Sequence, residues 1–354
     1  MNQKPMFKLR CMDPDYRVLV TGFEPFGGNQ TNISQEVARG MDGLRTVRCP
    51  WTDQPLLVEV ETDVLSVDAD GAQRTAQRIQ RGEDWDAILH LGLCESCEHP
   101  RVERLAHDWL NMRLPDNRGR RVEKKALDGL GHRGCWLDLS IWDASRFPSQ
   151  LMISCDAGAY LCNETYHATL KSLCASDHDN PTPPPALFLH LPHEDRFGAS
   201  RSTAFADACL GYMVRPYPVN VTHVVAMCLP QTGSSVFLTQ RGEEETDAAL
   251  WEFPGGKCEA NERFGEALER EIDEELRLKV SARHPLGTWF RLRGSDAFAI
   301  HLILAAGSMV EFTPALSVHQ AASWDDAMTP STRSWAGRDG EMFEFLSEAL
   351  RPMS

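Results

Sequence analysis

Apolar and polar positions along the chain fall into alternating runs. The β-branched run from Tyr16 to Thr21, stopped by Gly22, predicts a strand leading into a turn-rich loop at 23–28. A helical stretch over 34–41, an extended apolar stretch at 56–60 and a helix over 71–81 follow. The continuous apolar run Ala87–Leu91 predicts a strand buried on both faces. Further strands fit 151–154 and 187–190, with a helix between them from about Tyr160. Strands alternating with helices argue for an α/β layer sandwich. The polar, proline-rich stretch 177–185 interrupts this pattern only as a surface loop would.

The stronger seam comes later. After a helix over 203–213, the segment 214–220 carries Pro216 and Pro218, and a new strand, His223–Cys228, starts at once. The expected organisation is an extension over 1–15, a first domain over 16–213, a linker over 214–221 and a second domain over 222–354. A length of 354 residues agrees with two domains.

The chain carries 36 basic against 51 acidic residues, a net charge of −15 that disfavours binding to duplex nucleic acid. No apolar run reaches the roughly 20 residues of a membrane span, and the opening lacks the apolar core of a secretory signal. A cytoplasmic protein is expected, with an oligomer compatible with the sequence. The 11 cysteines should then be mostly reduced and either buried, metal-bound or catalytic. Cys94 and Cys97, with His99 nearby, have a zinc-like spacing, but no second Cys-x-x-Cys pair exists. Ordinary loop cysteines are the preferred reading over a zinc site.

In the second half, Glu271, Glu274 and Glu275 fall at i, i+3 and i+4 of a predicted helix, so their carboxylates share one face. Such a face suits a hard cation such as Mg²⁺, with Mn²⁺ as a substitute. Arg270 is placed to hold the cluster, and Gly256 lets a backbone carbonyl approach the same ion. A solvated acidic helix face would be the plain alternative for an isolated Glu-x-x-Glu-Glu. Here the context is larger: Gly256, Glu262, Arg270, Glu271, Ile272, Glu274, Glu275 and Leu278 match the signature of the Nudix hydrolases. Arg277 stands where that signature has glycine. The resemblance spans about 220–350 and implies an α/β/α fold with a mixed sheet and metal-assisted cleavage of a nucleoside diphosphate linked to a second group. The run WEFPGG at 251–256 looks most like the branch that hydrolyses nucleoside triphosphates to monophosphate and pyrophosphate. The resemblance implies Gly256, Glu271, Glu274 and Glu275 as metal ligands, Glu274 also as a catalytic group, and Arg241 as a substrate contact. Some members carry another glutamate before the late tryptophan; this sequence has Ser317-Val318-His319-Gln320 there, with Glu311 as the substitute.

In the first half, the run DAGAYLCN at 156–163 sets Cys162 in the first turn of a helix, where positive partial charge favours thiolate. His190, at the end of a buried strand, offers a base, and a third group is needed to orient it. These residues resemble the pyroglutamyl peptidase type I family of cysteine peptidases. The likeness is carried by TGFEPFGG at 21–28 with Asn32 and Ser34, by ERLA at 103–106, by DAGAYLCN and by FLHLP at 188–192. It implies an α/β/α sandwich, Cys162 as nucleophile, His190 as acid and base, Glu103 as the orienting carboxylate, and Phe23 and Phe26 in a small lactam pocket. Leu93 replaces a pocket glutamine of that family and Cys97 an arginine, so an altered specificity for a peptide or small amide is expected. Two readings therefore stand: a bifunctional hydrolase, or a nucleotide-sensing protein, in stress or phage defence, in which one domain only binds or scaffolds.

Overall fold

In the computed structural model, residues 13–175, 182–231, 234–307 and 318–352 are described. Of the sequence expectations, most of the extension and of the polar loop, together with Glu311 and Ser317, fall outside these residues.

The first lobe runs β1 (Tyr16–Phe23), α1 (Ile33–Met41), β2 (Gly43–Arg48), β3 (Pro55–Leu65), α2 (Ala69–Gln80), β4 (Ala87–Cys94) and β5 (Arg101–Glu103). Four two-residue strands follow, β6 (Leu105–Ala106), β7 (Trp109–Leu110), β8 (Lys125–Ala126) and β9 (Arg133–Gly134). The lobe is completed by β10 (Met152–Ser154), α3 (Leu161–Ala175), β11 (Ala186–Pro192), α4 (Glu194–Phe197) and α5 (Ala199–Val214). Its main sheet has the order β10-β5-β11-β4-β1-β3-β2. The central pairs β11/β4, β4/β1 and β1/β3 are parallel.

Alternation along β1 explains the layers. Val18 and Val20 pack with Val37 and Met41 of α1 and Phe205 and Leu210 of α5. Leu19 points the other way, into a cluster with Ile79 of α2 and Leu170 and Leu173 of α3. Both faces of the sheet are thus covered by helices, as a parallel sheet requires.

The second lobe comprises β12 (Thr222–Cys228), β13 (Ser235–Arg241), β14 (Trp251–Glu252), β15 (Gly255–Lys257), α6 (Phe264–Leu276), β16 (Val280–Arg293), β17 (Asp296–Gly307), β18 (His319–Asp326) and α7 (Asp339–Ala349). A four-stranded mixed sheet, β15-β12-β17-β16, faces a three-stranded one, β14-β13-β18. Leu268, Ile272 and Leu276 of α6 pack on Val225, Met227 and Ile303, so the polar face of α6 carries the glutamates. Arg277 closes the helix in the left-handed conformation, at φ 53°, where a glycine would suffer no steric penalty. Among the described residues, no helix is long and apolar enough to cross a membrane.

The lobes are closely joined. Leu105, fully buried, belongs to the apolar cluster of the second lobe with Leu286, Trp289 and Phe345. Arg104 lies between aromatic rings, its guanidinium 4.7 Å from the Trp289 centroid and 3.9 Å from that of Phe345. Asp138 accepts from the Phe290 amide at 2.7 Å and from Arg338 at 2.6 Å. His284 Nε2 donates to the His132 carbonyl at 2.8 Å, and His132 Nε2 donates to the Arg351 carbonyl at 2.9 Å.

Candidate functional site

Two constellations are assembled, one in each lobe. In the first, β5 and β11 pair antiparallel with Glu103 opposite Phe188 and His190 opposite Arg101. Positions two apart share a face, so Glu103 and His190 meet on the α3 side of the sheet. His190 Nδ1 donates to Glu103 Oε1 at 2.7 Å, and the imidazole is also hydrogen-bonded to Cys162, the second residue of α3. Burial by itself would keep His190 neutral, but its bonds to Cys162 and Glu103 outweigh this and push its pKa up to about 9. Glu103 is fully buried; it also accepts from Arg101 Nε at 2.8 Å, and its backbone carbonyl accepts from the Tyr166 hydroxyl at 3.2 Å. Gly92, beside His190 across the sheet, makes room for the thiol: a Cβ there would lie 2.9 Å from Cys162 Sγ and 2.7 Å from the Phe188 ring. The arrangement of nucleophile, base and orienting carboxylate suits acyl transfer through a thioester.

Beside this triad lies a cavity of about 680 Å³, whose walls include Phe26, Leu93, His107, Trp109 and residues of the loop leading to Cys162. Phe26 and Leu93 are thus on its wall. Phe23 does not line it; as the last residue of β1 it turns into the core, 3% exposed, 6.5 Å from the Phe188 ring. The expectation for the neighbouring cysteines needs correction. Cys94 and Cys97 are joined in a disulfide, so neither is a metal ligand nor a free loop thiol. Their Cα atoms, three residues apart in sequence, approach to 5.4 Å, within bonding range for such a pair.

In the second constellation, the loop before α6 brings Gly256 directly against Glu271. A Cβ at Gly256 would sit 2.3 Å from the Glu271 carboxyl carbon. Arg270 holds Glu271 at 2.9 Å, Glu262 at 2.8 Å and the Lys257 carbonyl at 3.0 Å, fixing loop to helix. Glu274 is exposed, 3.5 Å from Arg270, whereas Glu275 points inward. Burial, with the like charges of Glu271 and Glu252, outweighs the attraction of His319 and raises Glu275 to about 7.

Glu252 and His319 are the neighbours that sequence reasoning missed. Pairing of β13 with β14 and β18 brings Glu252 and His319 to the Arg241 end of β13. His319 Nε2 lies 3.3 Å from Glu252 and 3.9 Å from Glu275. Arg241 is bonded to Glu252, to Glu245 at 3.2 Å and to the Thr246 carbonyl at 2.6 Å. Arg241 is thus held beside Glu252 at this end of β13. The signal for Glu252 was its place in WEFPGG; for His319 only strand register reveals it.

Converging carboxylates of Glu252, Glu271 and Glu275, with a backbone cradle at Gly256, form a donor set that fits a divalent cation. A different group, Asp108, Asp128 and His167, has ligand spacing but supplies its own cations. Arg133 donates to His167 at 3.2 Å and to Asp128 at 2.8 Å, and Lys171 reaches Asp128 at 3.0 Å.

Comparison with known proteins agrees with both halves. The sequence model described as pyroglutamyl peptidase matches residues 16–197, and that of the NUDIX domain matches 220–333. The chain is 26% identical over 181 residues to the pyrrolidone-carboxylate peptidase of Pyrococcus furiosus, covering 50% of this chain and 81% of that protein. It is 28% identical over 219 residues to that of Clavibacter michiganensis, covering 58% and 95%. The solved pyrrolidone carboxyl peptidase of Thermococcus litoralis superposes with a TM-score of 0.48 at 22% identity, over 56% of this chain and 94% of that one. With just over half of its length matched by the peptidase model and both constellations in place, this chain belongs to the pyroglutamyl peptidase family and carries a NUDIX domain after it.

Proposed function

We propose that the chain is a hydrolase with two active sites, a metal-dependent pyrophosphohydrolase joined to a cysteine amidase of altered specificity. The observation that carries this reading is convergence: in each lobe, residues far apart in sequence meet with complementary chemistry. Glu103 and His190 are one such pair, and Glu252 and His319 beside the acidic cluster are another.

In the second lobe, Glu271, Glu275 and the Gly256 backbone would hold Mg²⁺ or Mn²⁺, with Glu252 beside them and Arg270 fixing the geometry. A cation bound there would neutralise phosphate charge and acidify a water. Glu274, on the exposed side of the helix, takes the proton. The substrate class is a nucleoside diphosphate carrying a second group, with a nucleoside triphosphate giving monophosphate and pyrophosphate as the leading case.

In the first lobe, Cys162 Sγ attacks an amide carbonyl, the imidazolium of His190 gives its proton to the departing amine, and water then cleaves the thioester with His190 as base. Glu103 keeps Nδ1 protonated, so that Nε2 faces the thiol.

A second reading makes the chain a nucleotide sensor in which one domain only binds or scaffolds. One observation favours it: Arg104, adjacent to Glu103, is embedded between aromatic rings of the second lobe. The test is mass-spectrometric product analysis of a nucleotide and aminoacyl-amide panel with Mg²⁺, using the wild-type chain, Glu274→Gln and Cys162→Ala. Monophosphate lost only in Glu274→Gln, with amine release lost only in Cys162→Ala, is expected. Nucleotide binding without turnover overturns the two-enzyme reading. Amide turnover indifferent to added nucleotide counts against the sensor.

A further inference from the structure

At about 680 Å³, the cavity beside Cys162 has room for a ligand of drug size, more than an acyl group alone would fill. Its floor is the loop leading to α3, which gives it two ends. At one, Tyr160, two residues before the nucleophile, packs on Phe26 with 6.1 Å between ring centroids. At the other, the Cys155 carbonyl accepts from His107 Nε2 at 2.8 Å. An acyl group seated at the aromatic end beside Cys162 leaves the His107 end to the amine that departs.

The second lobe reaches that end. Arg351, just beyond α7, lines the cavity, and among the described residues it is the one lining residue from beyond the linker. Its backbone is fixed to the first lobe: His132 Nε2 donates to the Arg351 carbonyl at 2.9 Å, while His132 Nδ1 accepts from the Asp108 amide at 3.0 Å. The His132 ring in turn packs on two cavity residues, His107 at 4.9 Å and Trp109 at 4.7 Å between centroids. Burial lowers the His107 pKa and the positive charge of Arg351 lowers it further, which places the guanidinium within reach of the ring.

The charges of the wall are not equally engaged. Asp156 Oδ1 accepts from the Gly158 amide at 2.9 Å, and Glu95 Oε1 from Asn29 Nδ2 at 3.5 Å. Arg113, also on the wall, is exposed and has no ion pair among the described residues. The pair of Arg351 with Glu348, at 2.6 Å, is half exposed, a kind that contributes little and exchanges readily for another anion. Cations are therefore the groups left to meet a charge on the substrate.

We propose that Arg351, supplied by the NUDIX half, binds a carboxylate on the leaving amine, so that the amidase prefers an acyl group joined to an amino acid with a free carboxylate over the matching uncharged amide. This rests on the amidase reading above and adds to it the class of leaving group. Arg351 is then a specificity residue that touches substrate without taking part in bond making.

The full-length chain is assayed with pairs that share an acyl group: pyroglutamyl-, prolyl- and glutaminyl-alanine against the corresponding alaninamides. Release of alanine or alaninamide is followed by mass spectrometry. Wild-type protein should show a KM about tenfold lower for the free acid, with similar kcat, and the ratio should shrink in about 1 M salt. Arg351→Gln should bring the ratio to about two, the remainder being held by Arg113, and Arg351→Lys should restore it to about five. Neither variant removes the His132 bond, which uses the Arg351 carbonyl, so both should melt with the wild type. A ratio still about tenfold in Arg351→Gln, or already about one in the wild type, overturns the assignment. Release of neither product from any pair overturns the underlying amidase reading instead.

Discussion

Replacing Glu103 by glutamine tests the triad without requiring a known substrate. Glutamine keeps an oxygen that can accept from His190 Nδ1, so the 2.7 Å contact survives while the charge is lost. A hydrogen bond to a buried ionised partner is worth about 1.5–3 kcal/mol, which at 1.36 kcal/mol per pH unit corresponds to about one to two units. Arg101, which shares Glu103 Oε1 at 2.8 Å, then faces the imidazole without compensation and pushes in the same direction. The His190 pKa, about 9 in the intact site, should therefore fall to about 7–8. Histidine ¹³C-labelling with NMR titration from pH 5 to 10, assigned with a His190→Gln variant, reads this directly. A histidine whose folded pKa exceeds its unfolded value contributes stability that is complete below about 6.5 and lost as pH rises through about 9. Glu103→Gln should then lower Tm more at pH 7 than at pH 10. An unmoved His190 midpoint would refute the assigned contact, whatever the activity.

Two further outcomes are expected. Arg277→Gly relieves the left-handed cap of α6 and should stabilise the chain by about 0.5–1 kcal/mol, seen as a higher denaturation midpoint with unchanged slope. Because Glu275 must ionise to bind a cation and titrates at about 7, Mn²⁺ affinity measured by electron paramagnetic resonance should rise up to about tenfold per pH unit below 7 and level off above it; a flat profile between pH 5 and 8 would exclude Glu275 as a ligand.

Periodicity revealed the layers of the first lobe because a parallel sheet buries both faces: Ala87–Leu91 could only be an inner strand. The glutamates of α6 were legible because helical spacing puts i, i+3 and i+4 together, and Cys162 because a helix start is marked in sequence. Contacts set by strand register were not. Glu252 comes beside Glu275 only because β14 and β18 flank β13, and His107 is tied to the nucleophile loop through Asn163 and the Cys155 carbonyl. Phe23, which the family resemblance placed in a pocket, shares the Leu19 face of β1 and packs in the apolar cluster that Phe26 and Cys162 adjoin. The Cys94–Cys97 bond was missed because the expectation of a cytoplasmic protein argued against oxidation.

The insertion of Arg104 and Leu105 into the second lobe has a genetic consequence. A truncation after the linker would leave Leu105, Cys155 and the Arg104 guanidinium without their aromatic and aliphatic cover, one residue from the carboxylate that orients His190. A nonsense mutation in the NUDIX half therefore damages both sites at once. Gene rearrangement that separates the halves uncovers the 104–105 segment, so packing favours inheritance of the two halves as one unit.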